Sequence, residues 1–372
     1  VLLGDPALTP NFPKYFVHTE SVKDMSTGET TDSINALGGY TITGNVTDVH
    51  GTTLSNFNGQ VYITFYDKPR KESVITKVYG TQRDYEVQNN IIYKGKASVR
   101  NGQFSFSFIA PKDINYDFGR GKISYYADNG NEDAAGADSS LIIGGLSRHP
   151  YLEDNPPIVR PYMEDSLFRD GGITGSNTLL FVSLFDETGI NVSGNSVGHD
   201  LTAVLDEEID NPFILNDYYE TATNDYRRGY VHFPVTGLND GIHSIRVKAW
   251  DVNNNSGEGI VHFVVYNGTV MKVEKLMNYP NPFRDQTRFV FEHNHPDETL
   301  QAQIRIYNTS GALVRSLDQT FTPTGSRTNE ISWDGTGDNG APLPSGIYVY
   351  RLRIATAQGI DATAYQKLVL IR

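Results

Sequence analysis

The sequence predicts an all-β chain: three tandem immunoglobulin-like β-sandwiches preceded by a short irregular segment. Three observations predict it. Turn formers and aromatics are both abundant, with 35 Gly, 17 Pro, 22 Tyr and 18 Phe against 4 Met and 2 Trp. That balance favours strands and loops over helices. No window sustains the 3.6-residue apolar period of a surface helix. Short alternating runs recur about every 8–12 residues with turn signals between them, as sandwich strands do. The 372 residues suit two or three domains at about 150 residues each.

Residues 1–35 read as the end of an upstream domain followed by a linker. "GDPALTPNFP" carries Pro6, Pro10 and Pro13, "DMSTGETTDS" is polar, and "KYFVH" (Lys14–His18) offers one strand. Residues 36–155 form the first expected sandwich. "GGYTITGNVTD" and "GQVYITFYD" are strands, and "YKGKASVRNGQFSFSFIAP" reads as a hairpin turning at Asn101-Gly102, the pair a type I′ turn prefers. Phe104, Phe106 and Phe108 share a face, because side chains alternate along a strand. "GKISYYAD" and "SSLIIGG" complete this unit.

Residues 156–268 form the second. "NPPIVRPY" is a stiff entry, followed by "NTLLFVSLFDETG", "HDLTAVLDEE", "GYVHFPV", "GIHSIRVKAWDVNNNSG" and "GIVHFVVYNG". Ile245, Val247 and Ala249 face one way, Arg246 and Lys248 the other. Residues 269–372 form the third, opening with "KLMNYPNPF" (Lys275–Phe283). Pro280 and Pro282 each hold φ at about −65° and lack an N–H, and each pushes the preceding residue out of the helical region. The stretch is a rigid, extended entry into a new unit. Its strands are "TRFVFEH", "AQIRIYN", "LVRSL", "TNEISWDG", "GIYVYRLRIA" and "AYQKLVLIR". Tyr348, Tyr350, Leu352 and Ile354 share one face.

The formal net charge of −13 repels phosphate backbones and anionic head groups, so no nucleic-acid partner is expected. No apolar run reaches the roughly 18 residues of a membrane-spanning helix, and no signal peptide is visible. The chain opens at Val1 inside an apolar run, which reads as an excised or processed piece of a longer protein. It contains no cysteine, which excludes disulfides, thiolate zinc sites and a cysteine nucleophile within these residues.

Several polar loops raise calcium. "DVNNNSGEG" begins D-x-N-x-N at Asp251, Asn253 and Asn255, but Ser256 and His262 stand where an EF-hand loop needs Gly and Glu. Asx-bonded turns explain it better. "WDGTGDNG" is the same case: Asp334, Asp338 and Asn339 are candidate ligands of a structural calcium, and turns account for the glycines. His293 and His295 in "HNHP" stand two apart with no third ligand nearby, so they read as loop histidines. His232, His243 and His262 fall on expected strands of the middle unit, where a Ser/His/Asp arrangement is the enzyme reading. Asn45-Val46-Thr47 and Asn254-Asn255-Ser256 are among five N-x-S/T sequons, which chance explains in Asn-rich loops.

Three stretches together resemble one family. "VLLGDPAL" is similar to the closing segment of gingipain-family cysteine peptidase domains. "GNVTDVHGTTLSNFNGQVYITFYDKP" and "VKAWDVNNNSGEG" resemble segments that follow the peptidase domain in PorU-like sortases of the type IX secretion system. "MNYPNPFRDQTRFVFEHN", "WDGTGDNGAPLPSGIYVYRLRI" and "KLVLIR" resemble that system's type A C-terminal sorting domain and the immunoglobulin-like domain of FlgD-type proteins. The resemblance implies that residues 269–372 are a sorting domain. It implies that the whole parent cleaves sorting domains from secreted cargo and joins the cargo to a lipopolysaccharide. Its catalytic His and Cys would lie upstream, so this segment would be inactive alone. It further implies a place on the cell surface of a Bacteroidetes-type Gram-negative bacterium, with an upstream peptidase domain and an outer-membrane β-barrel of the PorV type as partners. The expected docking residues are Tyr279, Pro280, Asn281, Pro282, Phe283, Gly346, Tyr348, Lys367, Leu368, Val369 and Leu370.

The terminal "YQKLVLIR" is apolar on both faces, as in a central buried strand, or as in a sheet edge offered to a partner. An adhesin or carbohydrate-binding tail is the other functional class. Tyr62 with Tyr66, or Phe104 with Phe106, are its candidate stacking surfaces, against the simpler reading that they fill a core. An exposed, near-coplanar row of aromatics would favour it.

Overall fold

The computed structural model describes residues 12–75, 80, 82–193, 198–266, 271–295, 298–323 and 325–372. The segment Val1–Leu8 that carries the peptidase resemblance lies outside them. The described residues hold no α-helix, only a 3-10 turn at Asn216–Tyr218, and no helix is long and apolar enough to cross a membrane. The chain is all-β, arranged in several sandwich-like pairs of sheets. It divides into two compact units: one holds the chain up to Pro161 with Val182–His232 and Arg246–Ile260, the other Tyr162–Phe181, Phe233–Ile245 and Val261–Arg372.

The first strands are β1 (Tyr15–Asp24), β2 (Ser33–Ala36), β3 (Gly39–Thr47), β4 (Gly59–Tyr66), β5 (Arg70–Ile75), β6 (Gln82–Val87), β7 (Ile91–Val99), β8 (Gln103–Ile109), β9 (Gly119–Arg120), β10 (Lys122–Asp128), β11 (Asp133–Asp138) and β12 (Ile142–Leu146). Seven form one sheet in the order β7-β4-β10-β11-β1-β3-β8; β2-β12-β9 and β5-β6 form two small ones. Two expectations change here. The strand expected at Lys14–His18 is present but longer, and the segment read as a linker places it as β1 inside the large sheet, between β3 and β11. A register shift between Thr19 and Ser21 puts the two buried valines, Val17 and Val22, five residues apart, and this breaks the alternation that marks a strand.

The Asn101-Gly102 hairpin is the second. Both residues take positive φ, 51° and 75°, as the turn requires. Only Arg100 and Gln103 pair across it. Gly102 N–H donates to the Phe57 carbonyl and Gly102 O accepts from Val46 N–H, so beyond the turn β7 follows β4 while β8 follows β3. The two arms are thus opposite ends of one sheet, curled around a core that includes Tyr40, Phe57, Phe65, Phe106 and Phe108.

The middle strands are β13 (Ile158–Met163), β14 (Gly172–Thr174), β15 (Thr178–Phe185), β16 (Thr202–Leu205), β17 (Phe213–Ile214), β18 (Tyr219–Ala222), β19 (Asp225–Val235), β20 (Gly241–Trp250) and β21 (Ser256–Val265). Their sheet orders are β13-β15-β19-β18 and β14-β21-β20-β16-β17. Ile245, Val247 and Ala249 are buried, as their alternation predicts.

The last strands are β22 (Val273–Tyr279), β23 (Thr287–His293), β24 (Leu300–Tyr307), β25 (Leu313–Phe321), β26 (Arg327–Trp333), β27 (Gly346–Thr356) and β28 (Asp361–Leu370). Sheets β22-β23-β26 and β25-β24-β27-β28 enclose a core containing Phe289, Phe291, Trp333, Tyr350, Leu352 and Ile354. β27 and β28 pair over their whole length, from Gly346 opposite Leu370 to Ala355 opposite Asp361.

Candidate functional site

The stretch after β22 bends around the end of β28. Both X-Pro bonds, Tyr279-Pro280 and Asn281-Pro282, are cis. Neither proline has an N–H to offer a neighbouring strand, so Asn281 and Phe283 make the pairing. The Asn281 side-chain amide meets β28 as a backbone would. Its Oδ1 accepts from Val369 N–H at 2.9 Å and its Nδ2 donates to the Lys367 carbonyl at 3.2 Å. Phe283 N–H donates to Val369 O at 3.1 Å, and Phe283 O accepts from Ile371 N–H at 2.9 Å. The Phe283 ring is buried, 5.5 Å between centroids from Trp333.

The loop after β26 closes the same corner. Trp333 Nε1 donates to Thr336 O at 2.9 Å. Arg372 donates through Nε to Leu343 O at 2.7 Å and through Nη2 to Gly335 O at 2.9 Å. Gly335 has φ of +75°, and a Cβ there would stand 3.2 Å from Leu370 Cδ1, so glycine suits both the backbone and the space. Tyr348 donates its hydroxyl to Pro344 O at 2.8 Å; burial pushes that phenol up, with Arg372 pulling it back.

All the expected docking residues therefore meet at one corner, but they divide by direction. Phe283, Tyr348, Leu368 and Leu370 are buried and hold it together. Tyr279, Pro280, Asn281, Pro282 and Lys367 are exposed, with Gly346 and Val369 half-buried. Two exposed side chains escaped the sequence reading: Ile347, opposite Val369, and Tyr365, on β28. Both occupy outward positions of alternating strands, the only signal available for them.

The calcium candidates each accept hydrogen bonds from the loops and strands around them. Asp334 Oδ1 accepts from Thr336 N–H and Oγ1, bonds that hold its carboxyl below the usual range. Asp338 Oδ1 accepts from Ser316 N–H and Asn339 Oδ1 from Ala341 N–H. Among the described residues, one group of three acids also brings its oxygens together as a cation site would: Glu153, Asp186 and Asp251, with ligand atoms within 4.8 Å of one another. Asp186 Oδ1 accepts from the N–H groups of Thr188 and Gly189 and from Thr188 Oγ1. Burial, with Glu153 alongside, pushes the Asp186 carboxyl up to about 7. Burial raises Asp251 as well. Asp186 and Asp251 each close a turn of their own, and Glu153 Oε1 accepts from Thr188 Oγ1 at 2.8 Å, so no spacing in the sequence joins the three.

The histidines separate. His243 stacks on Phe263 at 5.6 Å and His262 faces Asp170 at 3.2 Å. His293 is buried, and its ring is pushed down to about 4 by burial and by His295. His295 bonds Glu298 at 3.1 Å. Two strings mimic catalytic motifs. Gly194–Gly198 spells G-x-S-x-G, but only Gly198 lies in the described residues, and the next element is the strand β16. Gly335, Gly337 and Gly340 spell G-x-G-x-x-G after β26, yet the chain runs on into β27. Both motifs need a helix at that place to work. With no cysteine, the chain cannot supply the nucleophile of a cysteine peptidase.

A family model for the FlgD Ig-like domain matches residues 279–358, which take in Tyr279–Phe283 and β27 and stop before β28. Among solved structures, dimeric latent PorU from Porphyromonas gingivalis is 28% identical, over 99% of this chain and 35% of that one, with a TM-score of 0.43. The chain thus spans about a third of that protein's length. The glucan-utilisation protein SGBP-B of Bacteroides ovatus is 12% identical over 98% of this chain and 71% of its own, with a TM-score of 0.29. A tetra-tandem repeat from the extending region of a large adhesion protein is 14% identical over 97% and 74%, with a TM-score of 0.21. No curated protein matches the chain.

Proposed function

We propose that this chain is the non-catalytic spacer and docking region of a cell-surface cysteine endopeptidase of the sortase type, belonging to a type IX secretion system. In this reading residues 36–155 and 156–268 are sandwiches that space an upstream peptidase domain. Residues 269–372 are the sorting domain and dock on an outer-membrane β-barrel of the PorV type. One observation carries the reading: the stretches that resemble a sorting domain, though their contacts link residues 86 and 88 positions apart, converge on the corner where Asn281 and Phe283 pair with β28. The family-model match over 279–358 supports it. Outward Tyr279, Ile347 and Tyr365 add apolar area beside that corner, as a docking surface requires.

The test is binding of the full chain to a purified PorV-type barrel in detergent, read by biolayer interferometry. The doubly substituted Tyr279→Ala, Ile347→Ala chain should keep its melting temperature and bind about tenfold more weakly. A folded wild-type chain that fails to bind overturns the docking role.

A further inference from the structure

The curled sheet carries a row of aromatics on its outer face that the docking reading does not use. Val61, Ile63 and Phe65 point into the core, so Tyr62 points out. Register then aligns one rung across five strands. Lys96 on β7 faces Tyr62 on β4, Tyr62 faces Tyr126 on β10, and Ala135 on β11 stands between Tyr126 and Phe16 on β1. Tyr62, Tyr126 and Phe16 are 46%, 42% and 42% exposed. The two tyrosine rings lie 6.2 Å apart and 34° from parallel, and Phe16 stacks with His18 at 6.4 Å. Ala135 leaves the middle of the row low. At about 4.8 Å per strand, Tyr62 to Phe16 spans roughly 14 Å.

Past Lys96 the row opens into a cleft of about 280 Å³ lined by Tyr62, Lys94, Lys96, Tyr218, Glu220 and His232. Its lining is formally balanced, Lys94 and Lys96 against Asp217 and Glu220: Lys96 Nζ pairs with Glu220 Oε2 at 3.0 Å, and Lys94 Nζ donates to the Asp217 backbone carbonyl at 3.5 Å. Exposed aromatic rings along one rung, ending in a cleft with balanced donors and acceptors, suit a chain that is uncharged, has hydroxyls on its rim and presents C–H groups on its ring faces. A pyranose polymer has those features. A nucleic acid meets the opposing net charge of −13. A protein partner needs about 800 Å² of continuous surface on each side, more than a row one residue wide supplies.

We propose that the outer face of this sheet binds a neutral glycan of about three sugar rings along Tyr62, Tyr126 and Phe16, spaced by the strands beneath, with one end in the Lys96–Glu220 cleft. The site is independent of the docking corner. It is tested with the full chain by affinity electrophoresis and titration against cellohexaose, mannohexaose and maltohexaose. At least one should bind. Tyr62→Ala and Tyr126→Ala should each weaken it about tenfold, Tyr62→Phe should retain it, and Tyr85→Ala, an exposed tyrosine on β6, should leave it unchanged. Melting curves confirm that each variant is folded. Failure of the wild-type chain to bind all three hexasaccharides overturns the proposal, as does undiminished binding by the folded alanine variants.

Discussion

Asn281 spends its whole side chain on imitating a strand. Removing the amide leaves Val369 N–H and the Lys367 carbonyl without those partners. Asn281→Ala should therefore cost about 1–2 kcal/mol in chemical denaturation, with Asn281→Asp intermediate because it keeps only the acceptor. This role was hidden in the sequence. "YPNPF" announces stiffness through its prolines, but the bonds of Asn281 reach residues 86 and 88 positions later. Asp186 makes a second residue-scale prediction. Its folded-state carboxyl is raised to about 7 from 3.8, so the folded protein holds a proton that the unfolded chain releases. The contribution is fully present below about pH 3.8 and is lost as pH climbs to 7. Asp186→Asn keeps the acceptor for Thr188 and Gly189 and needs no proton. Its melting temperature, relative to wild type, should rise progressively from pH 4 to pH 8; a constant difference would refute the assignment.

At the scale of elements, alternation located most strands and failed at their neighbours. Tyr348, Tyr350, Leu352 and Ile354 of β27 are buried as their spacing predicts. The apolar character of "KLVLIR" did not reveal whether β28 is central or an edge. It is the last strand of its sheet, yet Asn281 and Phe283 cover the end of its open side. Side-chain period reports faces, while edges are set by which distant strand arrives. Phe104, Phe106 and Phe108 prove to be core, whereas Tyr62 faces solvent. Phe283 joins the edge to the core, so Phe283→Ala should cost about 3–5 kcal/mol. That loss should appear as a lower denaturation midpoint with little change in slope.

For the molecule as a whole, composition predicted the all-β class, and the chain's lack of cysteine removed thiol catalysis. The contacts that hold distant segments together were not legible, because they are single side chains in loops. Glu164, at φ +65°, is one. Within the second compact unit it accepts bonds from Ser326 N–H at 2.7 Å, Ser326 Oγ at 3.0 Å and Thr174 Oγ1 at 2.9 Å. Burial raises its carboxyl against the pull of these bonds. Glu164→Ala leaves them unmet at a cost of about 1–3 kcal/mol. Limited proteolysis should then cut faster within 164–174, while the first unit keeps its pattern.

The place of β1 within the curled sheet has a kinetic consequence. Its parallel partner β11 lies more than a hundred residues downstream, with Tyr15 facing Ala134. A chain emerging from its amino end can zip β1 to β3 early, but the other flank of β1 stays bare until β11 arrives. Such closure pays a large loop entropy before any contact rewards it, which places folding in milliseconds to seconds rather than microseconds. During that interval β1 offers an unpaired strand edge to any other chain nearby. The nascent protein therefore risks cross-pairing with its own copies, a hazard that ends when the downstream strand locks into place.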